Sequence, residues 1–353
     1  MPYRVVVASD KFKGSLRSDE VATAVGQGVR RVRPGTTVVP VPVADGGDGT
    51  LAAAVAAGFT LVPLAASGPT GEQVRSGFAR RGPTAVVELA DVSGLVRLPG
   101  GVPAPMTATS RGTGELIAAA ADAGCTRIIL GIGGSASTDG GIGLVNALSG
   151  TDSLDLAALR RRLTGIQVVV ACDVDNPLTG PKGAAAVYGP QKGADPEQVQ
   201  ELDASLNCWA DLVAGETGQD LRDTPGAGAA GGVGFAALAL LGAELRPGIE
   251  LVLELVGFRE QLAGADLVIT GEGALDEQTL HGKAVAGVAA AAGDIEVVAV
   301  CGINKLDPAR LRAAGVSTAY ALTDLEPDVR RCIAEPIPLL ERIGEQIATD
   351  HLR

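Results

Sequence analysis

Short apolar runs alternate along the chain with polar, glycine-rich loops and with segments whose apolar residues recur every three or four positions. The runs at 4–8 and 37–43 are typical of buried strands. The second run contains Pro40 and Pro42, which favour a strand at the edge of a sheet. A polar loop and a predicted helix follow each run. This order of elements predicts a parallel α/β sheet.

The strand–helix order is interrupted in the middle of the chain. Residues 74–79 and 85–89 instead indicate the strands of a hairpin or a mixed sheet. We therefore predict an α/β protein of two α/β domains. Residues 1–66 and 262–353 would form a doubly wound (Rossmann/flavodoxin-like) parallel-sheet domain. Residues 67–261 would form a second, mixed-sheet α/β domain inserted in it, with the ligand cleft between the two.

The loop Gly131–Gly141 stands between a predicted strand, 127–130, and a helix that begins near Ile142. Backbone N–H groups at such a position favour an anion, and glycine lets the backbone approach it closely. The loop lacks the lysine of a GxxxxGK nucleotide loop and does not match GxGxxG. A tight packing loop is the alternative interpretation. As a phosphate cradle, its candidate groups are Gly133, Gly134, Ser135 and Ser137.

Composition narrows the possible functions. The 353 residues carry a net charge of −12, which argues against nucleic acid or an anionic membrane as a partner. Five cysteines without a CxxC pair, and no visible signal peptide, predict a cytoplasmic protein with reduced thiols. With only two histidines, acid–base chemistry falls to carboxylates or lysines. We expect small-molecule partners, and the sequence leaves a homo-oligomer open.

Acidic residues stand beside glycines or turn formers after several predicted strands. One such loop is commonly an ordinary turn or a helix cap. Repetition of the pattern favours a ligand site at the carboxyl ends of the strands. Carboxylates gathered round a phosphate cradle suit Mg²⁺-assisted phosphoryl transfer. The loops carry Asp45 and Asp48, then Asp139, then Asp173 and Asp175, and finally Glu272 and Asp276.

Basic residues also lie in polar loops, where they are either solvated or bind an anion. Lys11 and Lys13 occupy the first strand–helix loop, and Lys192 and Lys283 occupy two later ones. Arg111 lies in the turn before a helix that is predicted over 113–124 with Thr113 as its N-cap. From this turn its guanidinium could clamp a carboxylate through two hydrogen bonds.

Eight motifs in order make the chain closely similar to the bacterial type-1 glycerate kinase family (glycerate 2-kinase). They are SDKFKGSL (9–16), VADGGDGT (43–50), SRGTGELI (110–117), GIGGSASTDGGIG (131–143), ACDVDNPL (171–178), YGPQKGA (188–194), PGAGAAGG (225–232) and VITGEG (268–273). The resemblance implies ATP-dependent phosphorylation of D-glycerate with Mg²⁺, and 2-phosphoglycerate as the expected product. It also implies one α/β domain inserted in another. The segment 149–166 is shorter than the family pattern.

These expectations combine into a mechanistic hypothesis. The glycine loop would hold the ATP phosphates, and Asp173 and Asp175 would bind Mg²⁺ or orient the glycerate hydroxyl. The predicted catalytic residues are Asp173, Asp175, Asp45, Asp48 and Lys11. The predicted substrate- and phosphate-binding residues are Lys13, Arg111, Gly133, Gly134, Ser135, Ser137, Lys192, Glu272 and Lys283. A non-catalytic nucleotide- or metabolite-binding protein is the alternative, and the missing dinucleotide fingerprint disfavours a dehydrogenase.

Overall fold

The computed structural model describes residues 2–280 and 283–353. The strands are β1 Arg4–Ser9, β2 Thr37–Pro40, β3 Thr60–Ser67, β4 Gln73–Arg81, β5 Thr84–Glu88, β6 Arg127–Gly131, β7 Gln167–Ala171, β8 Glu244–Arg246, β9 Leu267–Leu275, β10 Val297–Asn304 and β11 Thr318–Ala321. The helices are α1 Ser18–Val32, α2 Thr50–Ala56, α3 Ala90–Ser93, α4 Arg111–Asp122, α5 Ile142–Ser149, α6 Leu156–Arg162, α7 Ala184–Tyr188, α8 Pro196–Thr217, α9 Val233–Leu240, α10 Gly248–Leu255, α11 Phe258–Gln261, α12 Ala284–Ala292, α13 Pro308–Ala313, α14 Leu322–Leu325, α15 Val329–Ala334 and α16 Pro336–His351.

The chain divides into two compact units. The first unit comprises Met1–Asp45, Ala52–Ala57 and Ile249–Arg353, and the second comprises Gly46–Leu51 and Gly58–Gly248. Both units have helices packed on a sheet, so the predicted fold class of two α/β domains is confirmed.

The first unit is built on a parallel sheet of five strands in the order β11-β10-β9-β1-β2. Val5 and Val7 of β1 belong to a buried cluster with residues of α1 and α16, whereas Val6 and Ala8 belong to one with residues of α10 and α12. The strand is therefore covered on both faces, as a parallel strand requires. Helices α1 and α16 pack so closely that a Cβ on Gly28 would lie 1.9 Å from the carbonyl oxygen of Glu341.

The second unit is built on a mixed sheet of six strands in the order β3-β4-β5-β6-β7-β8. Strands β3, β4 and β5 are antiparallel neighbours, and β5 to β8 run parallel. Residues of α4, α5 and α9 share one buried cluster with those of β5, β6 and β7. The carboxyl ends of the three strands are in register, because Glu88 pairs with Gly131 and Gly131 with Ala171. The loops that follow them therefore leave one edge of the sheet.

Several elements match their predictions. Strand β2 lies at the edge of its sheet, as its prolines indicated, and β4 pairs antiparallel with β5 as the predicted hairpin. The loop Gly131–Gly141 connects the end of β6 to the start of α5. Among the described residues, no helix combines the length and apolar character needed to cross a membrane.

Other elements differ from their predictions. Strand β9 continues to Leu275, because Cys301, Ile303 and Asn304 of β10 still pair with it. Glu272 is therefore a strand residue, not a loop residue. Helix α4 begins two residues before Thr113, so Thr113 is not its N-cap, and its hydroxyl donates to Ser93.

The unit boundaries also lie away from residues 66/67 and 261/262. Strand β3 forms part of the second sheet, because it pairs along its whole length with β4. Residues 249–261 belong to the first unit, where Ile249, Val252 and Phe258 enter the buried cluster beneath β9. Both assignments follow from packing partners distant in sequence.

Candidate functional site

The glycine loop of the second unit is shaped by close backbone packing at its start. A Cβ on Gly131 would lie 2.6 Å from the carbonyl oxygen of Gly46, and one on Gly133 would lie 2.7 Å from the Cα of Gly47. Glycine is needed at both positions for packing, as the alternative interpretation of the loop required. Gly134 has φ +76°, a conformation that other residues rarely adopt. The turn at Gly134 leads directly into Ser135 and Ser137, which contact a buried lysine.

Lys192 supplies the cation that the glycine loop lacks in sequence. It ends the 3₁₀ helix Pro190–Lys192 and is 2% exposed. Its ammonium donates to Ser135 Oγ at 2.8 Å and to the carbonyl oxygen of Ser137. Burial lowers the pKa of Lys192 to about 7, against the opposing effect of the Asp139 carboxylate. A proton can therefore be lost or gained at this site near neutral pH.

Two hydroxyls of the same loop are buried without a partner. Neither Ser137 Oγ nor Thr138 Oγ1 makes a hydrogen bond to any described residue. Buried polar groups are almost always hydrogen-bonded, so each orphan marks a place where a bound group can act as partner. Phosphate oxygens accept from hydroxyls and ammonium groups, so the chemistry of the loop and Lys192 fits a nucleotide phosphate.

Asp139 fixes the end of the glycine loop. Its Oδ2 accepts from the backbone N–H and the hydroxyl of Ser110, both at 2.8 Å, and from Gly143 N at 3.2 Å. Its Oδ1 accepts from Gly141 N at 3.1 Å. The carboxylate thereby joins the start of α4 to the start of α5. Asp139 is a structural residue of the loop.

Glu88 is a buried carboxyl at the end of β5 that the sequence did not indicate. It is 4% exposed and accepts from the N–H groups of Gly49 and Leu51 at 3.2 and 2.8 Å. Burial is the main reason that its pKa rises to about 7, and the charge of Asp48 adds to the effect. Asp48 itself is exposed. No sequence signal separates Glu88 from other strand-end carboxyls.

Asp173 and Asp175 follow β7 at the same sheet edge, and both are exposed. Asp173 Oδ1 accepts from Gly248 N at 2.8 Å. Within residues 2–280 and 283–353, no three His, Cys, Asp or Glu side chains form a metal-binding group. Mg²⁺ is usually held by one or two carboxylates together with phosphate oxygens, so this oxygen donor pair fits that smaller role.

Arg111 is the first residue of α4 and not part of a turn before it, and its charge is already engaged. Its Nε lies 3.3 Å from Glu115 Oε1, and its Nη1 lies 3.4 Å from Asp152 Oδ1. Glu115 in turn accepts from the backbone N–H and hydroxyl of Ser67. The guanidinium is therefore balanced by two carboxylates of the second unit.

In the first unit, Asp10 is the carboxyl most affected by burial. It follows β1, is 9% exposed, and accepts from Lys11 N at 2.7 Å. The pKa of Asp10 is raised to about 7, chiefly by burial, and the charges of Asp45 and Glu272 contribute to the rise. The Lys11 ammonium, 3.9 Å away, opposes the rise. Asp10 belongs to a motif noted in the sequence, but nothing in the motif indicated its burial.

Glu272 lies on β9, and its register partner on β10 is Cys301. The hydroxyl of Thr279 donates to its carboxylate. Burial is the largest cause of its raised pKa, which the Thr279 hydrogen bond and the Lys283 charge oppose. Lys283 Nζ donates to Gln278 Oε1 at 2.8 Å. The preceding residues, 281 and 282, lie outside the described part of the chain.

The remaining predicted site residues divide between the units. Asp45 belongs to the first unit and Asp48 to the second, although they share one motif. Lys11 and Asp45 contribute to the environment of Asp10, whereas Lys13 is exposed. The structure thus gathers Asp10, Lys11, Asp45 and Glu272 in one unit, and the glycine loop with Lys192 in the other.

Comparisons with known proteins place the chain in a family. The model of the glycerate kinase family matches residues 5–352. Glycerate kinase of Bacillus subtilis (strain 168) is 42% identical, over 98% of this chain and 97% of the relative. Glycerate 2-kinase of Escherichia coli (strain K12) is 44% identical, over 81% of each chain.

A solved structure with a similar fold is also named as a glycerate kinase. The crystal structure of the provisionally named glycerate kinase 2 of Salmonella typhimurium LT2 covers 99% of this chain at 39% identity, with a TM-score of 0.81. These matches identify the chain as a phosphotransferase enzyme with two α/β domains. The chain belongs to the glycerate kinase family, as the sequence motifs predicted.

Proposed function

We propose that the chain catalyses ATP-dependent phosphorylation of D-glycerate to 2-phosphoglycerate. Membership of the glycerate kinase family supports the substrate, and the name of the E. coli relative, glycerate 2-kinase, supports the position of transfer. The observation that carries the nucleotide part is the buried Lys192 ammonium on a glycine loop whose Ser137 and Thr138 hydroxyls have no described partner.

The proposed role of the second unit is to bind the ATP phosphates. Gly133, Gly134, Ser135 and Ser137 would offer backbone N–H groups and hydroxyls, and Lys192 would stabilise the negative charge when protonated. Bound phosphate would favour the charged form of Lys192, whose pKa burial lowers to about 7. Exclusion of water around the lysine strengthens its attraction for the phosphate.

The proposed role of the first unit is proton transfer. A carboxylate can accept the proton of the attacking hydroxyl, and the best pKa for this lies near the working pH. Asp10, with a pKa of about 7, meets that requirement. We therefore add Asp10 to the predicted catalytic residues Lys11, Asp45, Asp48, Asp173 and Asp175. The expectation that both units serve one reaction stays a prediction.

Asp173 and Asp175 are the proposed ligands of Mg²⁺, since both are exposed carboxylates at the edge of the sheet that carries the glycine loop. When bound, Mg²⁺ offsets negative charge on the phosphoryl oxygens. Lys13, Glu272 and Lys283 remain proposed substrate-binding residues. A cytoplasmic location also stays a prediction, and cell fractionation tests it.

The test is ADP release from ATP and Mg²⁺ with and without D-glycerate, followed by NMR of the product. The proposal predicts release that depends on D-glycerate and a phosphate on the second carbon. L-glycerate is the matched control. A protein that binds ATP without glycerate-dependent release would be a non-catalytic binder, and a phosphate on the third carbon would overturn the position of transfer.

A further inference from the structure

An open pocket of about 310 Å³ lies in the second unit, at the end of the glycine loop. Its lining includes Thr138, Asp139, Ile142, Arg111, Asn146 and Trp209. Its volume is at the lower end of the range for small-molecule sites, about 300–1,000 Å³. The pocket can hold a compact organic group of the size of a nucleoside.

The walls of the pocket combine apolar and polar side chains, with the apolar surface only slightly larger. Met106 and Ile142 line it with 36% and 37% of their surface exposed. Trp209 lies beside them, and its indole N–H donates to the carbonyl oxygen of Gly140 at 3.0 Å. This hydrogen bond fixes the aromatic ring against the loop. Aliphatic and aromatic side chains interspersed with polar groups suit a flat organic ligand that has a polar edge.

The charges of the pocket argue against a small anion such as glycerate. Arg111 is the one cationic residue among the described lining residues, and Glu115 and Asp152 already balance it. The Asp139 carboxylate adds a negative charge to the wall. A carboxylate ligand would lose its hydration in the pocket and find no unpaired positive charge to compensate. An uncharged ring would not pay this desolvation cost. The guanidinium plane can still stack on an aromatic face.

Polar groups that suit a purine also line the pocket. In the described part of the chain, the side-chain amide of Asn146 makes no hydrogen bond. Asparagine can pair with adenine through two hydrogen bonds. Thr138, whose buried hydroxyl is also without a described partner, is adjacent in sequence to Ser137 of the proposed phosphate cradle. The pocket and the proposed cradle are therefore formed by neighbouring residues of one loop.

We propose that this pocket binds the purine nucleoside part of the nucleotide. The proposal rests on the proposed function for its choice of ligand, and it extends that function to a second group of residues. Ile142 and Met106 would contact the faces of the base, Asn146 would hydrogen-bond its edge, and Arg111 would stack on it. The phosphates would then extend along the loop toward Ser137 and Lys192.

Trp209 is the only tryptophan of the chain, so the intrinsic tryptophan fluorescence reports on the pocket and on the Gly140 end of the loop. We expect adenosine and ADP each to change the Trp209 emission in a saturable manner. D-glycerate and inorganic phosphate, at the same concentrations, should leave it unchanged. If ADP binds by calorimetry while neither adenosine nor ADP alters the emission, the nucleoside lies elsewhere and the proposal fails.

Two variants provide a second measurement on the intact enzyme. Ile142→Ala and Asn146→Ala should each raise the KM for ATP by about 5- to 30-fold, the effect of losing one good contact, with the KM for D-glycerate within twofold. Leu212→Ala is the control, because Leu212 is 51% exposed on α8 and does not line the pocket. Unchanged KM for ATP in both pocket variants would contradict the proposal.

The outcomes separate this proposal from the proposed function. If adenosine changes the emission but D-glycerate stimulates no ADP release, the pocket proposal stands and the kinase proposal fails. If release depends on D-glycerate but neither the emission nor the KM for ATP responds as expected, the pocket proposal fails and the kinase proposal stands.

Discussion

Burial shifts the pKa of a carboxyl in the first unit and of a lysine in the second in opposite directions. In the first unit, burial raises the pKa of Asp10 to about 7, next to Lys11 and among other carboxyls. In the second, burial lowers the pKa of Lys192 to about 7, where its ammonium donates to Ser135 Oγ and to the carbonyl oxygen of Ser137. One physical cause, removal from water, thus yields a proton acceptor in one unit and a weakly held cation in the other. The difference predicts separate effects when each group is changed.

The largest effect is expected for Lys192→Met, which keeps the volume of the side chain and removes its charge. We expect kcat/KM to fall by at least about 10²- to 10³-fold, the scale of losing one oriented charge-stabilising donor. Circular dichroism should show a folded protein. Lys182→Met, at an exposed position of the same unit, is the control. Near-normal turnover of Lys192→Met would mean that the lysine only supports the loop.

Asp10→Asn should have the next largest effect. Without a proton acceptor, we expect kcat to fall by about 10²- to 10⁴-fold, while the KM for ATP changes little. Steady-state kinetics measure both quantities. Asp19→Asn, at an exposed position on α1, is the matched control. A similar loss in the control, or full activity of Asp10→Asn, would count against the role of Asp10.

The same two groups predict the pH dependence of kcat/KM. Asp10 must lose its proton to act as a base, so the rate should rise as the pH increases through about 7. Lys192 must keep its proton, so the rate should fall as the pH increases beyond about 7. A narrow bell with its maximum near neutral pH is therefore expected. A profile that is flat from pH 5 to about 9 would contradict both assignments.

Glu88 offers a smaller effect, on stability. Its pKa is raised from 4.5 to about 7, chiefly by burial, so the folded state binds the Glu88 proton more tightly than the unfolded state does. This stabilisation is complete below pH 4.5 and is lost as the pH rises through about 7. Glu88→Gln should therefore gain stability relative to the wild type between these pH values, by at most about 3 kcal/mol.

Denaturant unfolding at several pH values measures the difference in unfolding free energy. Glu201→Gln, at an exposed position on α8, should show no such trend. A constant difference between Glu88→Gln and the wild type would mean that the backbone N–H groups of Gly49 and Leu51 hold the carboxylate charged in the folded state.

Arg111→Ala should have the smallest effect. Loss of a stacked guanidinium is expected to raise the KM for ATP by about two- to fivefold and to leave that for D-glycerate unchanged. Arg160→Ala, at an exposed position on α6, is the control. A rise of tenfold or more in the KM for D-glycerate would instead support the carboxylate clamp that the sequence suggested.

Much of the fold follows from local sequence patterns. The apolar runs at β1 and β6, the edge strand with Pro40, and the hairpin of β4 and β5 are each encoded within a few residues. Strand β3 and the full length of β9 depend on pairing with other strands, and the local pattern did not identify them. The limits of the two units depend on the same long-range packing.

The candidate site was less predictable, because burial decides its chemistry. Lys192 was a candidate from its motif, but its contact with Ser135 joins residues 57 positions apart. Asp10 and Glu88 look like ordinary acidic residues in the sequence, and only the packed structure reveals how little of each is exposed. Arg111 was predicted as an anion clamp, and its two carboxylate partners became evident only in the folded chain.

In the proposed mechanism, the second unit binds the nucleotide and the first unit supplies the proton acceptor. Calorimetric titration of ADP into the wild type, Lys192→Met and Asp10→Asn tests it most directly. We predict that Lys192→Met binds ADP at least about tenfold more weakly, since a charged contact is lost. Asp10→Asn should bind ADP within twofold of the wild type. Unchanged affinity in Lys192→Met together with weakened binding in Asp10→Asn would contradict the account.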